Sequence, residues 1–180
     1  MSSFFSLLFA PSFLILIRYF EFNSIVLLYI FLSVIFFIYA YKKQKKLEDF
    51  IVIATYFVLL CIAYFSASFN TIKFIPIFTS MIFVAIFIDG ALHKKELILK
   101  FTQKFYKKPM PQAEINYLKN GDSFWAIALS IYMLILMGVV FFGNDLLWAF
   151  MSSIGWYIYF VLTLLSQILY GKLYAIKMYS

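Results

Sequence analysis

The chain has 180 residues, of which 65% are hydrophobic and only 13% carry a charge. A soluble domain of this size has about 45–50% apolar and about 25% charged residues. The charged groups are too few to cover a water-facing surface, so the composition indicates an integral membrane protein. It excludes a disordered chain, and also a secreted disulfide scaffold, because Cys61 has no second cysteine to pair with. The net charge of +7 does not indicate nucleic-acid binding, because the lysines cluster at the ends of apolar runs.

Six apolar runs follow one another along the chain. Crossing a bilayer core of about 30 Å takes about 20 helical residues. The sequence therefore predicts an all-α integral membrane bundle of six transmembrane helices, forming a single domain over residues 1–180. The first run contains Pro11 and reaches Arg18, so five spans are the alternative if this segment does not cross. The predicted spans are residues 3–20, 22–41, 50–69, 74–92, 124–142 and 146–170.

The basic residues lie on one side of the predicted spans. Thirteen of the fifteen fall in loop 42–49, in loop 93–123 or in the C-terminal tail, and only Arg18 and Lys73 lie on the other side. Because loops rich in lysine and arginine stay in the cytoplasm, we expect both loops and the C-terminus there. Six spans place the N-terminus in the cytoplasm as well, whereas five would place it outside.

The long loop 93–123 has an amphipathic pattern of its own over residues 96–106. Its apolar face comprises Leu97, Ile98, Phe101 and Phe105. Lysines flank this face, which is typical of a short interfacial helix with its apolar side toward lipid. A solvated linker is the alternative. The candidate contact surface for anionic lipid or an acidic partner comprises Lys94, Lys95, Lys100, Lys104, Lys107 and Lys108.

Asp89 is the only acidic residue within a long apolar span, and ionisable residues inside a membrane are candidates for function. His93 and Glu96 follow at i+4 and i+7, so all three share one face if the helix continues. This stripe is a candidate proton or substrate path. The alternative is a helix end in the headgroup region, with Asp89 paired to Lys94 or Lys95.

Two further predictions concern the helices around loop 93–123. Gln167 belongs to a polar stripe in the last span, and it either bonds to a neighbouring helix or lines a substrate path. Asp122 or Ser123 is expected to cap the span that begins at Phe124, with Trp125 at the membrane interface.

Enzyme signatures are mostly absent from the sequence. It contains no HExxH, no GxSxG and no glycine-rich phosphate loop. One His and one Arg do not supply the clusters that a membrane phosphatase or a phospholipid synthase needs. We therefore expect no catalytic residues, no metal and no cofactor, with a membrane-bound enzyme kept as an alternative.

A set of residues between the fourth and fifth predicted spans matches a known pattern. The matching residues are Phe87, Ala91, Leu92, Glu96, Met110, Pro111, Tyr117 and Trp125. In this pattern the chain resembles an uncharacterised family of small bacterial inner-membrane proteins encoded among fatty-acid-like and aryl-polyene biosynthesis genes. The eight-residue step from Tyr117 to Trp125 agrees with that family, and so does the general layout over most of the chain.

The sequence also departs from this family. Leu118-Lys119 stands where Thr-Arg is usual, and Gly121-Asp122 stands where Val-Thr is usual. Any role of that arginine or of those threonines therefore does not carry over. In size and C-terminal layout the chain is also similar to the intracellular septation protein A family, which is linked to cell-envelope synthesis and division.

The resemblance implies an accessory or scaffold protein of the bacterial cytoplasmic membrane, serving an acyl-lipid or polyene pathway of the cell envelope. The implied partners are anionic lipids and either an acyl carrier protein or other membrane subunits. The alternative function is a small transporter or flippase-type carrier, with Asp89, His93 and Gln167 lining its path.

Overall fold

The computed structural model of the chain describes residues 2–43, 47–104 and 110–179, and within these ranges every regular element is helical. The all-α prediction is confirmed for this part of the chain. In chain order the elements are α1 (Ser2–Leu16), α2 (Phe22–Lys42), α3 (Leu47–Ser66), α4 (Phe69–Lys73), α5 (Ile75–Leu92), α6 (Leu97–Gln103), α7 (Gln112–Leu118), α8 (Gly121–Phe142), α9 (Asp145–Phe150), a π-helical turn (Met151–Gly155) and α10 (Trp156–Tyr179).

Four helical segments among the described residues are long and apolar enough to cross a membrane. A shorter apolar segment covers Phe50–Ser66 within α3. These lengths and compositions are compatible with a multi-pass membrane protein. The N-terminal helix α1 has 15 residues, which is about 22 Å at the helical rise and shorter than the bilayer core. The four long segments are Phe22–Lys42, Phe69–Leu92, Gly121–Phe142 and Asp145–Gly171.

The chain divides into two compact units, of which the first comprises Met1–Thr79 and Leu134–Trp156. Its core combines aliphatic side chains with a group of aromatic rings. The Phe13 ring stacks on Phe69 at 5.8 Å, and Phe69 meets the Trp148 ring edge-on at 5.5 Å. The hydroxyl groups of Ser12 in α1 and Tyr29 in α2 lie 2.5 Å apart. Because a bilayer offers little hydrophobic driving force between helices, such close packing and interhelical hydrogen bonds hold a membrane bundle together.

A polar cluster in the same unit joins α4 to the start of α9. The Lys73 ammonium lies 2.6 Å from the Asp145 carboxylate and 5.1 Å from the centre of the Phe69 ring. The Trp148 indole donates a hydrogen bond to the Lys73 carbonyl at 3.2 Å. Asn144 caps α9 through its side-chain oxygen. The lysine is therefore paired at an otherwise apolar position, where its side chain is only 12% exposed.

The second unit comprises Ser80–Met133 and Tyr157–Ser180. In this unit the polar stripe of α10 packs against α8. The Tyr159 hydroxyl donates to the Ala128 carbonyl at 2.7 Å, and its ring lies 4.8 Å from the Tyr132 ring. Thr163 and Gln167, one and two turns further along, are buried. The stripe therefore contributes interhelical contacts within the second unit.

Candidate functional site

The start of α6 is held by a buried carboxylate from another helix. The backbone N–H groups of Leu97 and Ile98 donate to the two carboxylate oxygens of Asp122, each at 2.9 Å. N–H groups in the first turn of a helix have no partner within that helix, and the helix dipole favours a negative charge there. Asp122 is only 1% exposed, so it fixes α6 against the first turn of α8.

The prediction that Asp122 or Ser123 caps the span beginning at Phe124 is therefore wrong. Helix α8 begins at Gly121, so Asp122 lies inside its first turn, and its carboxylate reaches α6 instead. Trp125, which we expected at the membrane interface, is buried within the second unit. A sequence shows that a carboxylate precedes an apolar run, but it does not show which N–H groups lie within reach.

Two glycines allow the helices to approach each other at this junction. A Cβ atom on Gly90 would lie 2.8 Å from an Asp122 carboxylate oxygen. A Cβ atom on Gly121 would lie 2.8 Å from Cβ of Ile98 and 3.2 Å from the side-chain nitrogen of Gln167. Real Cβ atoms essentially never approach other atoms to 2.8 Å, so a side chain at either position would force its neighbours at the junction to shift.

The predicted amphipathic helix exists as α6, but it is shorter than residues 96–106. It covers Leu97–Gln103, and the last predicted residue of its apolar face, Phe105, lies outside the described residues. Leu99, which is not on the predicted face, is buried, whereas Phe101 is 58% exposed. The location of α6 at a membrane surface stays a prediction.

The candidate lysines that the structure describes surround α6 on the protein surface. Lys94 and Glu96 have φ angles of 49° and 55°, a left-handed conformation that makes the connection from α5 to α6 tight. The Lys100 ammonium donates to the Lys95 carbonyl at 2.6 Å. Lys107 and Lys108 lie outside the described residues. The exposed lysines of this surface are Lys94, Lys95, Lys100 and Lys104.

Asp89 takes part in an ion-pair group at the end of α5. Its carboxylate pairs with the Lys95 ammonium and lies 2.8 Å from Nδ1 of His93. Helix α5 ends at Leu92, so the stripe does not continue, and in the described part of the chain no hydrogen bond or ion pair joins Glu96 to Asp89 or His93. The Asp89 side chain is 46% exposed. The structure therefore brings two of the three predicted residues together, at an exposed helix end.

Gln167 lies at the centre of a buried polar cluster. Its side-chain oxygen accepts from the Trp125 indole N–H at 2.8 Å, and its backbone carbonyl accepts from the Tyr117 hydroxyl at 2.8 Å. Among the residues that the structure describes, its side-chain nitrogen has no hydrogen-bond partner. Phe87 stacks on Trp125 at 6.2 Å. Burial raises the pKa of Tyr117, and the neighbouring Tyr170 adds to this rise.

Three of the eight residues in the family pattern, Phe87, Tyr117 and Trp125, are thus brought together around Gln167. Of the other five, Leu92 and Pro111 are also candidate site residues. Leu92 is 74% exposed at the end of α5, and Pro111 directly precedes α7.

Helix α7 itself was missed by the sequence analysis. Proline at a helix start followed by helix-forming residues is a known signal, and Pro111 ahead of Gln112, Ala113 and Glu114 provides it. Helix α7 matters for the site because it carries Tyr117 to the backbone of Gln167.

No group of three or more His, Cys, Asp or Glu side chains among the described residues could hold a metal ion. Comparison of the chain with protein-family models, with curated proteins and with solved structures found no match. We therefore infer its function from the residues, their geometry and the resemblance described under Sequence analysis.

Proposed function

We propose that the protein is a non-catalytic accessory protein of the bacterial cytoplasmic membrane, with six membrane-crossing helices and both termini in the cytoplasm. The distribution of basic residues supports this orientation, because thirteen of fifteen fall in the predicted cytoplasmic segments. The contact between Ser12 and Tyr29 supports α1 as a membrane helix, because it holds α1 beside the membrane-length helix α2.

The main support for this function is the fixed position of α6. Asp122 and the two glycines Gly90 and Gly121 hold this helix by its first turn. Lys100 and Lys104 are exposed on it. A surface that is already ordered loses less conformational freedom when it binds a partner. We call Lys94, Lys95, Lys100 and Lys104 the basic surface, and it serves as the contact site for an anionic partner.

The kind of pathway comes from the family resemblance. It points to an acyl-lipid or polyene pathway of the cell envelope, in which the protein helps to handle or assemble products at the membrane. Anionic lipid headgroups and an acidic acyl carrier protein both have the charge that suits the basic surface, and clustered charges of one sign raise the rate at which such partners meet.

Charge reversal tests this function. The variant with Lys100→Glu and Lys104→Glu changes the charge of the basic surface by four units. The matched control carries Lys42→Glu and Lys43→Glu, which make the same change at exposed positions at the end of α2. The measurement is native mass spectrometry of each protein extracted from its own membranes in mild detergent.

We expect the parent protein and the control to release bound lipid or stoichiometric partner proteins together with the chain. The variant of the basic surface should lose them, with affinity falling at least about tenfold for two close charge pairs. Retention of the same partners by that variant, or equal loss from the control, would contradict the proposed function.

A further inference from the structure

Helix α6 lies at the boundary of the apolar segments. Segment Phe69–Leu92 ends five residues before α6 begins, and segment Gly121–Phe142 contributes Asp122 to its first turn. Hydrogen bonds of 2.9 Å hold the first turn of α6 beside the first turn of a membrane-length helix. At the predicted cytoplasmic end of that helix, we expect α6 at the depth of the lipid headgroups.

The faces of α6 differ in a way that suits this depth. At about 100° per residue, Leu99 and Phe101 lie on nearly opposite sides of the helix. Leu99 is 4% exposed, whereas Phe101 is 58% exposed. Lys100 and Lys104, the residue directly after α6, are about one turn apart and lie on one flank of Phe101. One side of α6 thus packs on the protein, and the opposite side carries an exposed aromatic ring with two exposed lysines beside it.

Leu92 adds a second exposed apolar side chain next to the basic surface. It is the last residue of α5 and is 74% exposed. Large apolar side chains beside lysines are typical of surfaces that insert apolar groups among acyl chains while their lysines contact phosphate groups. A soluble acidic protein would match the lysines but would leave Phe101 and Leu92 to be covered by some further contact.

We infer that the anionic partner of the basic surface is the phospholipid headgroup layer of the protein's own membrane. In this arrangement Phe101 enters the acyl region, and the ammonium groups of Lys100 and Lys104 bind lipid phosphates. This inference rests on the proposed function, because it names the partner of the same surface. Asp122 is the positioning residue that holds the first turn of α6.

The first experiment measures the depth of α6 with a spin label. A nitroxide is attached through Phe101→Cys, or through Gln103→Cys as the matched control on the other side of the helix, in a Cys61→Ala background. Each protein is placed in bilayers of phosphatidylethanolamine with or without phosphatidylglycerol. Collision with oxygen and with a water-soluble nickel complex reports the depth of the label.

We expect the label at position 101 to lie below the lipid phosphates when phosphatidylglycerol is present, and nearer to water when it is absent. The label at position 103 should lie closer to the aqueous phase than the label at position 101 in both bilayers. A label at position 101 that is fully accessible to the nickel complex in both bilayers would overturn the inference.

The second experiment measures affinity for phosphatidylglycerol by titration in detergent with native mass spectrometry. The variant with Lys100→Glu and Lys104→Glu should bind at least about 25-fold more weakly than the parent, because loss of each lysine near an anionic surface costs a factor of about five and each new carboxylate adds repulsion. The control with Lys42→Glu and Lys43→Glu should bind as tightly as the parent.

The outcomes separate this inference from the proposed function. Loss of an acidic protein from the charge-reversed variant, with unchanged affinity for phosphatidylglycerol, overturns the lipid inference and leaves the proposed function intact. Unchanged binding of both lipid and protein partners overturns the inference and the proposed function together.

Discussion

Replacing Asp122 with alanine should release the first turn of α6. The substitution removes the acceptor from two partly buried N–H groups, on Leu97 and Ile98. Leaving a buried donor without a partner costs about 1–3 kcal/mol, and loss of a helix cap alone costs about 1 kcal/mol. Water that enters the space left by the carboxylate recovers part of this loss, so we expect the junction to be destabilised by about 3 kcal/mol.

Hydrogen–deuterium exchange of the protein in detergent micelles measures this effect directly. A loss of about 3 kcal/mol corresponds to roughly 150-fold faster exchange of the Leu97 and Ile98 amides, if they exchange by local opening of α6. Asp122→Asn keeps one acceptor oxygen and should show an intermediate rate. Ser123→Ala is the control, because Ser123 is the next residue and is exposed. If Asp122→Ala and Ser123→Ala exchange these amides at the same rate, the assignment of Asp122 as the cap of α6 is refuted.

Three other predictions can be checked by unfolding the protein in detergent. Gly90→Ala should destabilise the protein by about 1–3 kcal/mol through overpacking. Gly138→Ala is the control and should be neutral or stabilising, since a Cβ there meets no atom of the described residues within 4 Å. Equal effects of the two substitutions would refute the close approach at Gly90. Burial raises the pKa of Tyr117 in the folded protein, so its neutral hydroxyl adds stability that is complete below about pH 10 and is lost as the pH rises through the pKa that Tyr117 has in the folded state. The difference in stability between the parent and Tyr117→Phe should therefore shrink above about pH 10, and a constant difference would contradict this prediction. Asp145→Asn should lower the free energy of unfolding by about 1 kcal/mol, and by less at high salt, because it removes the charged partner of the mostly buried Lys73 ammonium. An unchanged stability at low salt would show that this ion pair contributes nothing.

Hydropathy and length predicted the membrane-length helices closely. The run predicted as 22–41 is helical over Phe22–Lys42, and the run predicted as 146–170 lies within the segment Asp145–Gly171. A helix of this length forms because about 20 consecutive residues are apolar, and its formation depends little on contacts elsewhere in the fold. The helix predicted from the lysine and apolar spacing is confirmed over Leu97–Gln103. The residue that it buries, Leu99, is not on the predicted apolar face.

What the sequence did not predict depends on contacts between distant residues or on unusual backbone conformations. Asp122 caps a helix that begins 25 residues earlier in the chain, and no local pattern encodes that distance. The break in the Asp89 stripe comes from the left-handed conformation of Lys94 and Glu96, which non-glycine residues adopt only when surrounding contacts hold them there. The hydrogen bond from Trp125 to Gln167 likewise joins residues that are distant in sequence, in α8 and α10.

The proposed function places the basic surface on the cytoplasmic side of the membrane. Labelling with a membrane-impermeant maleimide tests this orientation in a Cys61→Ala background that carries either Lys104→Cys or Asn70→Cys, both at exposed positions. We predict that Lys104→Cys reacts only in inverted membrane vesicles and that Asn70→Cys reacts only in intact cells. Reaction of Lys104→Cys in intact cells would place the basic surface outside and refute the proposed orientation.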